Sequence, residues 1–72
     1  MKKIKEFKKV NDIIKIDCGD YFLNARVAAF ECEMYVYALE FTDLNGVEHV
    51  MHTDVLNVKD DVVEYSKLTM EP

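Results

Sequence analysis

Tryptophan is absent from this chain, and glycine, proline and cysteine are scarce: two glycines, one proline and two cysteines in 72 residues. Each scarcity excludes something. With only Gly19 and Gly46, no glycine-rich phosphate-cradling loop can be built. Cys18 and Cys32 form no CxxC pair and are too few for a disulfide framework. Both are expected as unlinked thiols packed as small hydrophobes, which suits a reducing compartment. No apolar run approaches the ~20 residues of a membrane-spanning helix, so no membrane role is expected. Met1-Lys2-Lys3 carries the charge of a signal-peptide start. Glu6, Lys8, Lys9 and Asp12 interrupt any apolar segment behind it, and a cytoplasmic location is expected.

What is present is a core and an uneven charge. Half the residues are hydrophobic, enough for one domain, although a chain this short buries only about 60% of its unfolded surface. The net charge is −5. Residues 1–16 hold six lysines against Glu6 and Asp12, which is +4; residues 17–72 hold Arg26, Lys59 and Lys67 against twelve acids, which is −9. A body of that charge repels a phosphate backbone, so direct duplex binding by the body is disfavoured. Solubility alone is the plain explanation of such a surface.

The chain divides into a basic amphipathic segment (1–11), a domain (12–68) and a tail (69–72). Ile4, Phe7 and Val10 recur at helical spacing among polar residues, the stripe of a short amphipathic helix or of an arm that docks on the body. Ile14, Ile16 and Cys18 then alternate with Lys15 and Asp17 as in a strand, and Gly19-Asp20 signals a turn. From Tyr21 to Glu33 no breaker occurs. Tyr21, Leu23, Ala25, Val27 and Ala29 form the face expected inside, with Phe22, Asn24, Arg26, Ala28 and Phe30 opposite. The alanines suggest a bend, and their helix preference makes Asn24 to Met34 a competing helix.

The centre of the sequence is Met34 to Thr53. Tyr35, Tyr37, Leu39 and Phe41 alternate along a strand, Asn45-Gly46 turns, and Val47 to Thr53 returns. A three-residue loop, Leu44-Asn45-Gly46 with Gly46 left-handed, pairs Asp43 with Val47, Phe41 with His49 and Leu39 with Met51. A two-residue loop would turn the second strand over. The three-residue loop is preferred because it joins apolar Leu39 to Met51 and leaves Glu48 and His52 outside. Asp54 to Asn57 reads as a short helical turn, and Val62 to Leu68 as a last strand.

Gly19, Ala25, Val27, the run Tyr37 to Asp43, Gly46 and Leu56 together resemble a small five-stranded SH3-like barrel, as in Tudor-type and related modules. That resemblance implies an all-β or mainly β fold over residues 12–68. The chain departs from a methyl-lysine reader in having no tryptophan and no evident four-member aromatic cage. Fold alone does not give function.

No catalytic, cofactor or metal site is expected. His49 and His52 are three apart on a strand and so point to opposite faces. The interior of a barrel this small is filled by side chains, which disfavours an enzyme. The expected function is a non-enzymatic protein-binding module, an acidic inhibitor or adaptor whose partner has a basic surface. Small acidic proteins of phages and mobile elements that act on host machinery are of this kind. The candidate contact residues are Phe22 and Tyr35 as aromatic anchors, with Glu31, Glu33, Asp43 and Glu48 as an acidic rim. One alternative is a nucleic-acid mimic or nucleic-acid-associated protein, and a second is a subunit of a homo-oligomer.

Overall fold

Period-two alternation becomes strand over Ile13–Asp17, Phe22–Glu31, Val36–Thr42 and Glu48–Asp54 of the body. The computed structural model describes residues 7–70. Its strands are β1 (Ile13–Asp17), β2 (Phe22–Glu31), β3 (Val36–Thr42), β4 (Glu48–Asp54), β5 (Val62–Glu64) and β6 (Thr69–Met70), with 3-10 turns at Val55–Asn57 and Tyr65–Lys67. They form one sheet in the order β5-β1-β2-β3-β4-β6. All neighbours are antiparallel except β1 and β5, which run parallel.

Connectivity forces this sheet to curl. β5 and β6 are its two edges, yet only residues 65–68 lie between them in the chain. Such a link reaches at most ~17 Å, whereas a flat sheet of six strands holds its edges about 24 Å apart. The result is a curled half-barrel, the mainly β architecture of a small SH3-like barrel, with one strand more than expected. The sixth comes from Thr69–Met70, which the sequence places in a tail. Val62 to Leu68 is correspondingly not one strand: it splits into β5 and a 3-10 turn because the chain must cross from edge to edge. Buried Leu68 seals the crossing, and the Thr53 hydroxyl, buried on β4, donates to the Lys67 carbonyl at 3.3 Å.

The core is built on the inward faces of β1 to β4. Ile14, Ile16, Ala25, Val27, Tyr37, Leu39, Phe41 and Met51 all belong to it, joined by Val55, Val63 and Leu68. The hairpin register is that of the three-residue loop: Phe41 faces His49 and Leu39 faces Met51. The Asp43 N–H donates to Val47 O at 2.9 Å, the Gly46 N–H donates to Asp43 O at 3.0 Å, and Gly46 has φ 85°.

β2 runs as strand through Glu31, so no helix forms over Asn24 to Met34. Its register against β3 shifts between Val27 and Ala29. The extra residue, Ala28, reverses the alternation behind it, as a bulge does. Phe30 therefore packs on the core, 5.5 Å from Tyr37, instead of lying on the outer face. A small side chain at the bulge lets the strand bend where the barrel curls.

Residues 7–12 are not helical. A turn at Lys9–Asp12, with the Asp12 N–H donating to Lys9 O at 2.9 Å and Asn11 at φ 81°, breaks the expected stripe. Asn and Asp side chains compete for local backbone groups and favour such turns. Lys9 N–H donates to Asp12 Oδ2 at 2.8 Å, and Asn11 Oδ1 accepts from Arg26 at 2.6 Å. Phe7 docks as expected: its ring lies 5.0 Å from Phe30 and 5.5 Å from Tyr35. The Lys8 N–H donates to the Tyr37 hydroxyl at 2.7 Å and its ammonium pairs with Asp61. Val10 is exposed, and Ile4 lies outside the described residues. This segment packs against the end of the half-barrel at which Tyr37 lies, leaving a hollow of about 460 Å³ between Lys8, Tyr37 and Asp61.

Candidate functional site

The opposite end is open. Three segments meet there: the β1–β2 turn, the β3–β4 hairpin loop and the 3-10 turn that links the two sheet edges. Each has a local reason for its shape. Asp17 Oδ1 accepts the Gly19 N–H at 2.9 Å, Gly19 takes φ 97°, and the Cys18 N–H donates to Tyr21 O at 2.9 Å. Asp43 Oδ1 accepts the N–H groups of Asn45 and Val47, both at 2.9 Å, which fixes the hairpin loop. The Tyr65–Lys67 turn closes with the Leu68 N–H on Tyr65 O at 3.0 Å.

Between them lies a cavity of about 480 Å³, lined by Cys18, Tyr21 and Leu23 on one side, Phe41, Asp43, Leu44, Asn45 and His49 on another, and Tyr65 on the third. Its floor is apolar. The His49 ring stacks on buried Phe41 at 5.2 Å, and His49 Nε2 lies 2.7 Å from Asp43 Oδ2. His49 and two backbone N–H groups hold the Asp43 carboxyl below its ordinary range, His49 being the largest cause. An ionised carboxylate only accepts, so Nε2 carries the proton that bridges the pair. The Tyr21 hydroxyl is pushed above its ordinary value, first by loss of water and then by Cys18, Asp43 and Tyr65 nearby. Tyr21, Tyr65 and Leu44 all remain exposed.

The flanking positions are acidic. Asp17 and Asp20 bracket the β1–β2 turn, Glu48 precedes His49 and Glu64 precedes Tyr65; Lys67 is the one cation in these three segments. Lys67 itself lines a neighbouring hollow with Asp17 and Glu64.

A larger hollow of about 540 Å³ lies over the outer face of β2 to β4. Its one arginine is already engaged: Arg26 pairs with Glu40 at 2.5 Å and reaches Asn11 at 2.6 Å, while Glu48 lines the same hollow. The open end differs in offering aromatic rings that stack on no other ring among the described residues, namely Tyr21 and Tyr65.

The six residues singled out by sequence do not form one site. Asp43 lines the cavity; Phe22, paired across strands with Asp17, and Glu48, which lines the outer hollow, lie near the same end of the sheet but outside the cavity. Glu31, Glu33 and Tyr35 belong to the β2–β3 turn, at the other end of β3. The seven residues of β3 (Val36–Thr42) separate the groups by about 20 Å, at ~3.3 Å per residue. Tyr35 sits at φ 62° with its ring edge-on to Phe7. Its N–H donates to Glu31 O at 2.7 Å.

Cys18, Tyr21, His49 and Tyr65 were not singled out. For His49 a signal existed: the register that puts Phe41 opposite His49 also puts Asp43 on the same face two residues later. Nothing local in the sequence places Tyr65 across from Tyr21, because only the curl of the sheet brings the two together.

His52 points away from this site, opposite Ala38 and Thr69 on the outer face, with Nδ1 buried and unpartnered. Among the described residues no group of three His, Cys, Asp or Glu side chains is placed to hold a metal ion. Nor does any hydrogen bond join Cys18 to His49 among them; the Cys18 thiol instead makes a weak contact with Ile16 O at 3.8 Å. Cys32 is exposed in the β2–β3 turn, not packed as a small hydrophobe, because that turn stands clear of the sheet. No described helix is long and apolar enough to cross a membrane. Comparison with protein-family models, with curated proteins and with solved structures finds no match.

Proposed function

We propose that this chain is a non-enzymatic protein-binding module that works in the cytoplasm as an inhibitor or adaptor. It docks a basic segment of another protein at the open end of the half-barrel. One observation carries the reading: the open end combines two exposed tyrosines and the Asp43 carboxylate over an apolar floor, on segments whose flanking positions are acidic. Aromatic anchors inside a polar rim are the usual anatomy of a protein interface. Asp17, Asp20, Asp43, Glu48 and Glu64 against Lys67 favour a partner of opposite sign.

The test compares variants at the two ends. Tagged wild type, Tyr65→Ala and Met34→Ala are used to capture partners from a host extract. The proposal expects a basic protein retained by wild type and Met34→Ala and lost by Tyr65→Ala, with an on-rate that falls as salt rises. Capture that survives Tyr65→Ala but not Met34→Ala would move the interface to the β2–β3 turn. Competition by duplex DNA for the captured partner would favour the mimic instead.

A further inference from the structure

Resting on that reading, we infer that the cavity receives one arginine side chain of the partner. Three observations converge on it. First, the walls that remain exposed are aromatic: Tyr21 and Tyr65 stand on different segments, and neither ring stacks on another among the described residues. Such faces attract cations. Second, the fixed charge in the wall is negative. Asp43 is held ionised, and the flanking acids reinforce it.

Third, the acceptors are spread out. Asp43 Oδ1 already accepts two backbone N–H groups, and Oδ2 accepts from His49. A carboxylate has about four acceptor sites, so one remains, on Oδ2. Asn45, Tyr21 and Tyr65, which carry the other side-chain acceptors of the wall, come from three different segments. An ammonium group is compact and strongly hydrated, and needs several acceptors around one point. A guanidinium is flat and weakly hydrated, directs its donors outward in a plane, and stacks on rings. The cavity suits the second ion. An anion would meet Asp43, and a purely apolar side chain would strip water from that carboxylate without replacing it.

The probe is a set of capped pentapeptides, Gly-Gly-Xaa-Gly-Gly, with Xaa arginine, lysine or citrulline. Each is titrated at millimolar concentration into the isotope-labelled full chain, and amide shifts are followed by NMR. The arginine peptide should shift amides at Cys18 to Tyr21, Asp43 to His49 and Tyr65. Lysine should bind about fivefold more weakly, and citrulline, isosteric but neutral, should leave these amides in place. Tyr65→Leu keeps bulk and removes the ring, and should weaken the arginine peptide several-fold. Asp43→Asn keeps an oxygen for the turn, removes the charge, and should do the same; the unliganded spectra report whether each variant is folded. Equal binding of arginine and lysine, shifts scattered elsewhere, or none at all would overturn the inference. The docking reading has a separate readout: a partner still captured by Tyr65→Ala removes that reading, whereas a partner lost by Tyr65→Ala alongside an inert arginine peptide removes only this one.

Discussion

Replacing Gly46 by valine tests the turn on which the open end depends. Gly46 has φ 85°, and a Cβ built there meets nothing within 4 Å. The cost is therefore conformational, with no steric clash to confuse it. A left-handed backbone costs an ordinary L-residue roughly 1–2 kcal/mol, and a β-branched one resists it most. Removing a glycine also narrows the unfolded ensemble, which returns ~0.4–1 kcal/mol. The net expectation is a loss of about 1 kcal/mol for Gly46→Val and close to none for Gly46→Asn, since asparagine tolerates this region. In a domain of this size about 1 kcal/mol lowers Tm by roughly 4–8 °C. Urea unfolding followed by circular dichroism, with thermal melts alongside, resolves that difference. Equal stability of the valine variant and wild type would refute the reasoning. It would mean that Gly46 is not left-handed, which excludes the three-residue loop and a two-residue Asn45-Gly46 turn alike, since both need positive φ there.

Other expectations follow from the same structure. Phe7→Ala should cost about 2 kcal/mol, since some three-fifths of an aromatic side chain leaves its contacts, while exposed Val10→Ala should change little in the same urea titration. The stability supplied by Asp43 has a definite sign. Its folded pKa lies below the unfolded one, so the contribution is complete above the unfolded value near 3.8 and is lost as pH falls through the folded value. Wild type should therefore draw towards Asp43→Asn in stability as pH falls below the unfolded value near 3.8, and separate from it above pH ~5. Cys18 and Cys32 lie at opposite ends of β2, so both should alkylate without reductant; a native mass lighter by two hydrogens with both thiols blocked would contradict this.

How much of this was legible in the sequence depends on the range of the interaction. The hairpin loop and its register were legible, because Asn45-Gly46 and the pairing of Leu39 with Met51 lie within a dozen residues of each other; the start of its first strand was not, since Met34 and Tyr35 belong to the preceding turn. β1 and the first half of β2 were legible through simple alternation. Phe30 was not, since one extra residue at Ala28 reverses the parity and nothing local marks which alanine is extra. The helical spacing of Phe7 and Val10 misled. The Lys9–Asp12 turn prevails through hydrogen bonds of Asn11 and Asp12 to distant Arg26 and Val27 as well as to their neighbours. Of the candidate site only Asp43 was anticipated in place. The aromatic anchors were looked for on Phe22 and Tyr35, whereas the cavity is lined by Tyr21 and Tyr65, which meet only when the sheet curls.

The two ends of the half-barrel are finished in different chemistry, and this difference is the main physical reason to place function at one of them. At the other end Phe7 packs on Phe30 and Tyr35, and the Tyr37 hydroxyl accepts from the Lys8 N–H beside a hollow in which Lys8 pairs with Asp61. The chain meets its own aromatic rings and charges there. At the open end the exposed walls are two tyrosines and the exposed loop residue Leu44, over a stacked Phe41–His49 pair and an ionised Asp43. An apolar plug from the same chain would strip water from that carboxylate without replacing it. Tyrosine keeps an apolar face and a wet hydroxyl, so this end is stable with water in it and gains when a cation with an apolar stem displaces that water. The arrangement suits an occupant that comes and goes, which is what a binding module requires and a sealed core does not.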